Sequence, residues 1–270
     1  MKYKNNPFDL IAIDCDGTLL DSNKNISIGA EQAIRKARAR GVTIALVTGR
    51  NPPVLQRVIN KLNLAGPFIG SGGSFVADLA TGEVIERHTL LMEDVEALVR
   101  LCRKLKVVLF IDHNNWMMTE FVTEPLLRIK EEQGYEWQIV PDLLKAIPEP
   151  PEKGLVMGEN EKLKTICDDF ASRHRPVNIT FTSPASMDVL PYGVSKGTAL
   201  KALAAHLKIP AERIAVIGDY LNDLDMFAVA GKAVAMGNAH EQVKEAADLI
   251  APSNDEGGVA WAINNLLNLE

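Results

Sequence analysis

The sequence predicts an α/β fold: a Rossmann-like, mostly parallel sheet core flanked by helices, with an α+β module inserted between its two halves. Three observations predict it. Apolar β-branched runs alternate with amphipathic helical stretches at both ends of the chain. The middle mixes strands and helices in a different order. Finally, Asp14-Cys15-Asp16-Gly17-Thr18, Thr48-Gly49-Arg50 and Gly218-Asp219 follow directly on predicted strands, the edge at which open parallel sheets bind ligands.

The first run, Phe8 to Ile13, reads as a buried strand entering a functional loop. Ser27 then caps a helix to Arg40 with Ala30, Ala33, Ile34 and Ala37 on one face, and Gly41 ends it. Val42 to Val47 is the next strand, and Pro53 suits the first turn of the helix that follows. This spacing gives right-handed βαβ units. In the middle, Phe75 to Ala77 and Val84 to Ile85 flank a turn as a hairpin. Helices near Glu93 to Lys104, Glu124 to Glu132 and Glu161 to Ser172 alternate there with strands Val107 to Ile111, Trp116 to Thr119, Gln138 to Val140, Val177 to Thr182 and Met187 to Leu190. Pro148, Pro150 and Pro151 mark a loop inside the module. The parallel rhythm returns with a Ser195-capped helix bearing Leu200, Leu203, Ala204 and Leu207, and then the strand Ile214 to Ile217. A helix from about Leu221, the strand Ala233 to Met236, a helix from Ala239 to Ala247, Leu249 to Ala251 and a helix to Leu267 complete it.

Composition narrows the function classes. At 270 residues, 47% hydrophobic and 24% charged, the chain is neither disordered nor fibrous. Its longest uncharged stretch, Leu62 to Ala77, is broken by glycines and a proline, so no membrane span is expected. The first residues lack a signal-peptide pattern, which favours a cytoplasmic protein. Cys15, Cys102 and Cys167 are far apart and fit neither a disulfide scaffold nor a zinc knuckle. A net charge of −6 has the wrong sign for a nucleic-acid binder.

The strand-end motifs suit phosphoryl transfer, in which catalysis is largely positioning and charge neutralisation. Asp14, Asp16, Asp219 and Asp223 brought together would repel unless a hard divalent cation sat among them, and Mg²⁺ is the natural choice. Lys196 supplies a second positive charge, and Thr48 with the adjacent backbone N–H groups supplies donors for phosphoryl oxygens. The five histidines are scattered and offer no zinc site.

With these motifs in this order, the chain resembles the haloacid-dehalogenase-like hydrolase superfamily, and within it the Cof-type phosphatases with a large α/β cap. The likeness runs on through Val234 to Ala239 and Ser253 to Val259. It implies Asp14 as nucleophile, Asp16 as general acid/base, and Thr48, Gly49 and Lys196 as phosphoryl-binding residues. Mg²⁺ would be held by Asp14, the backbone carbonyl of Asp16 and Asp219, with Asn222 and Asp223 supporting the metal. Arg50 and Asn51 are candidates for substrate or cap contact, and Asp188 lies where the family often has an acidic residue. Relatives commonly carry Asn-Gly-Ala where this chain reads Gly72-Gly73-Ser74, which removes a side-chain amide and leaves the Ser74 hydroxyl. The 146 residues from Arg50 to Lys196 exceed one βα step, which places a cap at 84–189 and the catalytic core at 1–83 and 190–270.

The expected activity is therefore Mg²⁺-dependent hydrolysis of a small phosphorylated metabolite, a sugar phosphate first, through an aspartyl phosphate, by a monomer or small homo-oligomer. A phosphomutase and a non-catalytic phospho-aspartate switch are the rivals. Cys15 reads as a packed thiol, since alternation turns it away from the aspartates. The cluster His113, Asn114, Asn115 and Trp116 reads as well as a hairpin turn as a substrate contact.

Overall fold

The computed structural model describes residues 6–51, 55–113, 116–127, 137–173 and 176–269. Five strands come first: β1 (Leu10–Asp14), β2 (Thr43–Val47), β3 (Pro67–Gly70), β4 (Phe75–Asp78) and β5 (Val84–Arg87). Then follow β6 (Val108–His113), β7 (Trp116–Thr119), β8 (Gln138–Ile139), β9 (Lys153–Met157), β10 (Asn178–Ser183) and β11 (Ser186–Leu190). The chain closes with β12 (Ile214–Gly218), β13 (Lys232–Ala235) and β14 (Leu249–Ile250).

The larger sheet has eight strands in the order β14-β13-β12-β1-β2-β3-β4-β5. It is parallel from β14 to β3, and β4 and β5 add an antiparallel hairpin. All five residues of β1 are buried, because helices cover both faces and no alternation with water is left. The helix Ile28–Ala39 is capped by Ser27 Oγ, which accepts the Ala30 N–H at 3.1 Å, and it buries Ala30, Ala33, Ile34 and Ala37 as its spacing predicts. It packs on the final helix, Gly258–Leu267. No described helix is long and apolar enough to cross a membrane.

The smaller sheet has six strands in the order β10-β11-β9-β6-β7-β8 and is antiparallel except for the β7–β8 pair. Leu109, Ile111, Val156, Met187 and Val189 point to the helices Met92–Leu105 and Asn160–Ala171. Their neighbours in sequence point to the other face by the period of two, where Val108 and Phe110 pack with Leu126 and Trp137 and Asp112, Lys153 and Asp188 line a cavity shared with the larger sheet.

Two differences from expectation stand out. The boundary expected at residue 84 falls inside a hairpin: Ala77 pairs with Val84 and Phe75 with Arg87, so β5 is the edge strand of the larger sheet. The central strand β9 was not anticipated. Its start, Lys153-Gly154, follows prolines and lacks the apolar opening that marks the other strands. The reading of Pro53, of Asn114 and Asn115, and of the helix beyond residue 127 lies outside the described residues.

Candidate active site

Parallel register assembles the site. Ile13 lies beside Leu46 on one side and Ile217 on the other, so Asp14, Thr48 and Asp219 emerge together from three adjacent strand ends. Gly17 turns the chain at φ 80°, and a Cβ there would collide with the Asp219 carboxylate. Thr18 Oγ donates to Asp219 Oδ1 at 2.8 Å.

Behind Asp14 lies a buried charge relay. Lys196 Nζ donates to Asp14 Oδ1 and Asp223 Oδ1, both at 2.6 Å. Asp223 Oδ2 accepts the backbone N–H groups of Asp219 and Tyr220 at 2.9 and 3.2 Å. Lys196 opens the helix Lys196–Leu207, whose capping box joins Ser195 and Thr198. A cation at a helix N-terminus opposes the dipole. The two carboxylates compensate: against burial, which alone would lower it, they raise the Lys196 pKa and keep the ammonium charged.

The carboxylates respond in the opposite sense. Burial above all, with Asp223 and Asp219 adding repulsion against the pull of Lys196, pushes Asp14 well above the usual carboxylate range. Burial and Asp223 push Asp219 up to about 7. Asp14, Asp219 and Asp223 each bring a carboxylate oxygen to a point where all three lie within 4.8 Å of one another. An all-oxygen set in which burial and mutual repulsion raise Asp14 and Asp219 is one that a hard cation fits, since the cation would relieve that repulsion in place of protons.

Asp16 lies apart from this trio. Arg50 donates to it through Nε at 2.6 Å and Nη2 at 2.5 Å, and Lys24 Nζ at 2.9 Å. Burial alone would raise Asp16, but the two cations outweigh it and hold the carboxyl at about 2. Thr48 Oγ accepts the Arg50 N–H at 3.1 Å, which leaves its O–H as a donor.

A cavity of about 290 Å³ brings together Asp14, Asp16, Thr48, Gly49, Arg50, Asn51, Asp219 and Asn222 of the expected set. Lys196 and Asp223 do not line it; they lie beneath Asp14. Asn51 gives its amide to the smaller domain, Nδ2 donating to Asp112 Oδ1 at 2.7 Å. Ser74 is fully buried, does not line the cavity and leaves its Oγ without a partner. Gly72 has a structural reason. It sits at φ 70°, and a Cβ there would lie 3.0 Å from Leu190 Cδ2 and 3.3 Å from Asp188 Oδ2, so a residue larger than glycine would crowd Asp188.

Sequence reasoning missed Lys24, Asp112, Lys153, Leu155 and Met157 as lining residues and left Asp188 without a role. For all of these but Lys24, the signal was the period of two in β6, β9 and β11, legible only once those strands are paired. Cys15 is buried in the core, its thiol raised by that burial, in keeping with a packed role.

With this geometry in hand, comparison with known proteins is direct. Residues 11–263 match a family described as haloacid dehalogenase-like hydrolase. The chain is 34% identical to the putative phosphatase YxeH of Bacillus subtilis, covering 96% of this chain and 98% of the relative. It is 30% identical to the 5-amino-6-(5-phospho-D-ribitylamino)uracil phosphatase YcsE of the same organism, over 95% and 94%. A crystal structure of a haloacid dehalogenase-like hydrolase from Bacteroides thetaiotaomicron superposes with a TM-score of 0.86 at 29% identity, covering 96% of this chain and all of the other.

Proposed function

Since the chain belongs to the haloacid dehalogenase-like hydrolases and its relatives YxeH and YcsE carry phosphatase names, we propose that it hydrolyses a small phosphorylated metabolite, a sugar or polyol phosphate, through a phosphorylated Asp14. The observation that carries this reading is Asp14 itself, a buried carboxylate at a strand end, held by Lys196 and facing a cavity it shares with Asp16. The YcsE name records a ribityl phosphate as that relative's substrate, which suits a polyol here.

In this reading Asp14 attacks phosphorus and the ester oxygen leaves. Asp16 protonates that oxygen and then deprotonates the water that cleaves the aspartyl phosphate. Without substrate, Arg50 and Lys24 hold Asp16 in the ionised form. The first step needs the protonated form, so both cations turn from Asp16 to the phosphoryl oxygens as substrate enters. Thr48 and the backbone at Gly49 bind those oxygens, and Lys196 keeps Asp14 oriented. Asp14, the Asp16 carbonyl and Asp219 would hold Mg²⁺, with Asp223 and Asn222 in support; when bound, the ion offsets repulsion between nucleophile and phosphoryl group. The six-stranded unit acts as the cap and the eight-stranded unit as the catalytic core.

Asp14→Asn tests the assignment. Phosphate release from a panel of phosphorylated sugars should fall by at least about 10³-fold, in line with loss of a nucleophile that acts as part of a unit, while the circular dichroism spectrum is retained. Substantial turnover in the pure variant would overturn it. Net release of inorganic phosphate separates this reading from a phosphomutase, which interconverts esters.

A further inference from the structure

The cavity wall facing the phosphoryl end belongs to the six-stranded sheet, and its charges are unusual. Asp112 on β6, Lys153 on β9 and Asp188 on β11 share one sheet face, with Leu155 and Met157 among them. All three charged residues are nearly inaccessible, at 3%, 4% and 2% exposure. Asp112 accepts the Asn51 amide at Oδ1 and the Ser71 hydroxyl at Oδ2, each at 2.7 Å. Lys153 Nζ donates to Asp188 Oδ1 at 2.7 Å.

This wall therefore sets two carboxylates against one ammonium, and that ammonium is already paired. The cations across the cavity, Lys24 and Arg50, converge on Asp16 at the phosphoryl end. A second phosphoryl group or a carboxylate on the leaving group would meet Asp112 and Asp188 at low dielectric, where like charges repel strongly. Hydroxyl groups meet the opposite situation, because each carboxylate has about four lone-pair sites and those not already used accept O–H donors. Met117, Leu155 and Met157 offer an apolar surface to the C–H groups of a sugar or polyol chain. The volume, about 290 Å³, lies just below the roughly 300–1,000 Å³ usual for ligand sites, which suits one small ring or a short chain.

We propose that Asp112, Lys153 and Asp188 select the leaving group by charge, so that the site takes monophosphate esters of uncharged polyhydroxylated compounds and rejects esters bearing a second anionic group. This rests on the phosphatase reading above. The close approach of Asp188 to the core supports it: a Cβ on Gly49 would lie 3.2 Å from Asp188 Oδ2 and 3.5 Å from Lys153 Nζ, so the charged wall reaches the loop proposed to bind phosphate.

Matched esters test it. Sorbitol 6-phosphate and 6-phosphogluconate differ at one end, a hydroxymethyl against a carboxylate; fructose 6-phosphate and fructose 1,6-bisphosphate differ by a second phosphoryl group. In the wild-type protein with Mg²⁺, kcat/KM for the partner with a single anionic group should be at least about tenfold higher in at least one pair, and Asp188→Asn and Asp112→Asn should each narrow that ratio at least about threefold. Equal turnover within both pairs, or ratios unchanged in both variants, overturns the proposal. The wild-type ratio decides by itself if the variants do not fold. Cleavage of p-nitrophenyl phosphate that is lost in Asp14→Asn reports on the phosphatase reading separately. If it is cleaved while neither ester with a single anionic group is, charge selection fails and the phosphatase reading stands.

Discussion

Asp219 titrates near 7 because burial and the adjacent Asp223 carboxylate both disfavour its charge, and the direction of that shift fixes how the fold responds to pH. Its folded value lies above the unfolded one of 3.8, so the fold without metal is favoured at low pH and loses that advantage as pH rises through about 4 to 7. Asp14 shifts in the same direction. A cation competes with these protons. The rise in Tm on adding saturating Mg²⁺ should therefore be small near pH 5.5 and grow towards pH 8, with apparent affinity falling about tenfold per pH unit below 7 for one displaced proton. Calorimetry across this range checks it; a gain that is flat or larger in acid contradicts the assignment of Asp14 and Asp219 to the metal. At this scale, the carboxylates were legible because Asp14-Cys15-Asp16 and Gly218-Asp219 end apolar runs. The pairing of Asp16 with Lys24 was not, since Lys24 sits in a polar stretch with no periodicity and reaches Asp16 only through the loop at 17–24.

The parallel strands β1, β2 and β12 could be read from sequence because burial on both faces demands unbroken apolar runs, and their register then fixed which side chains met. The central strand of the smaller sheet, β9, could not. Gly154 lies where any Cβ would press on Leu98, so β9 gives up an apolar side chain at a position that would have revealed it. Helix ends were legible through their caps, and the Ser195 cap carries a functional load because the residue after it is Lys196. Ser195→Ala removes the acceptor of the Thr198 N–H and should lower unfolding free energy by about 1 kcal/mol in urea titrations. Faster amide exchange should be confined to the first turn of the helix. Unchanged stability would mean that the ion pairs of Lys196 with Asp14 and Asp223 hold this turn without the cap.

Among the described residues, a buried carboxylate with two donors bridges the two sheets over the cavity: Asp112 belongs to the smaller sheet, while Asn51 and Ser71 belong to loops of the larger one. The bonds exist only while the sheets are together. Once they separate, water solvates all three groups, so the bonds favour the closed arrangement without contributing comparably to the folding of either unit. Ser71 does not line the cavity, which makes it the cleaner probe. Ser71→Ala leaves Asp112 Oδ2 short of a donor in the closed state, at a cost of about 1–3 kcal/mol, equivalent to a shift towards the open form of about 5- to 150-fold. If closure precedes chemistry, kcat/KM should fall within that range while Tm changes little. Asn51→Leu removes the other donor to the same carboxylate, so the loss in the double variant should depart from the sum of the two single losses. Additive losses would mean that the two residues act separately, and a Ser71→Ala protein with full kcat/KM would remove the Ser71–Asp112 bond from any part in closure.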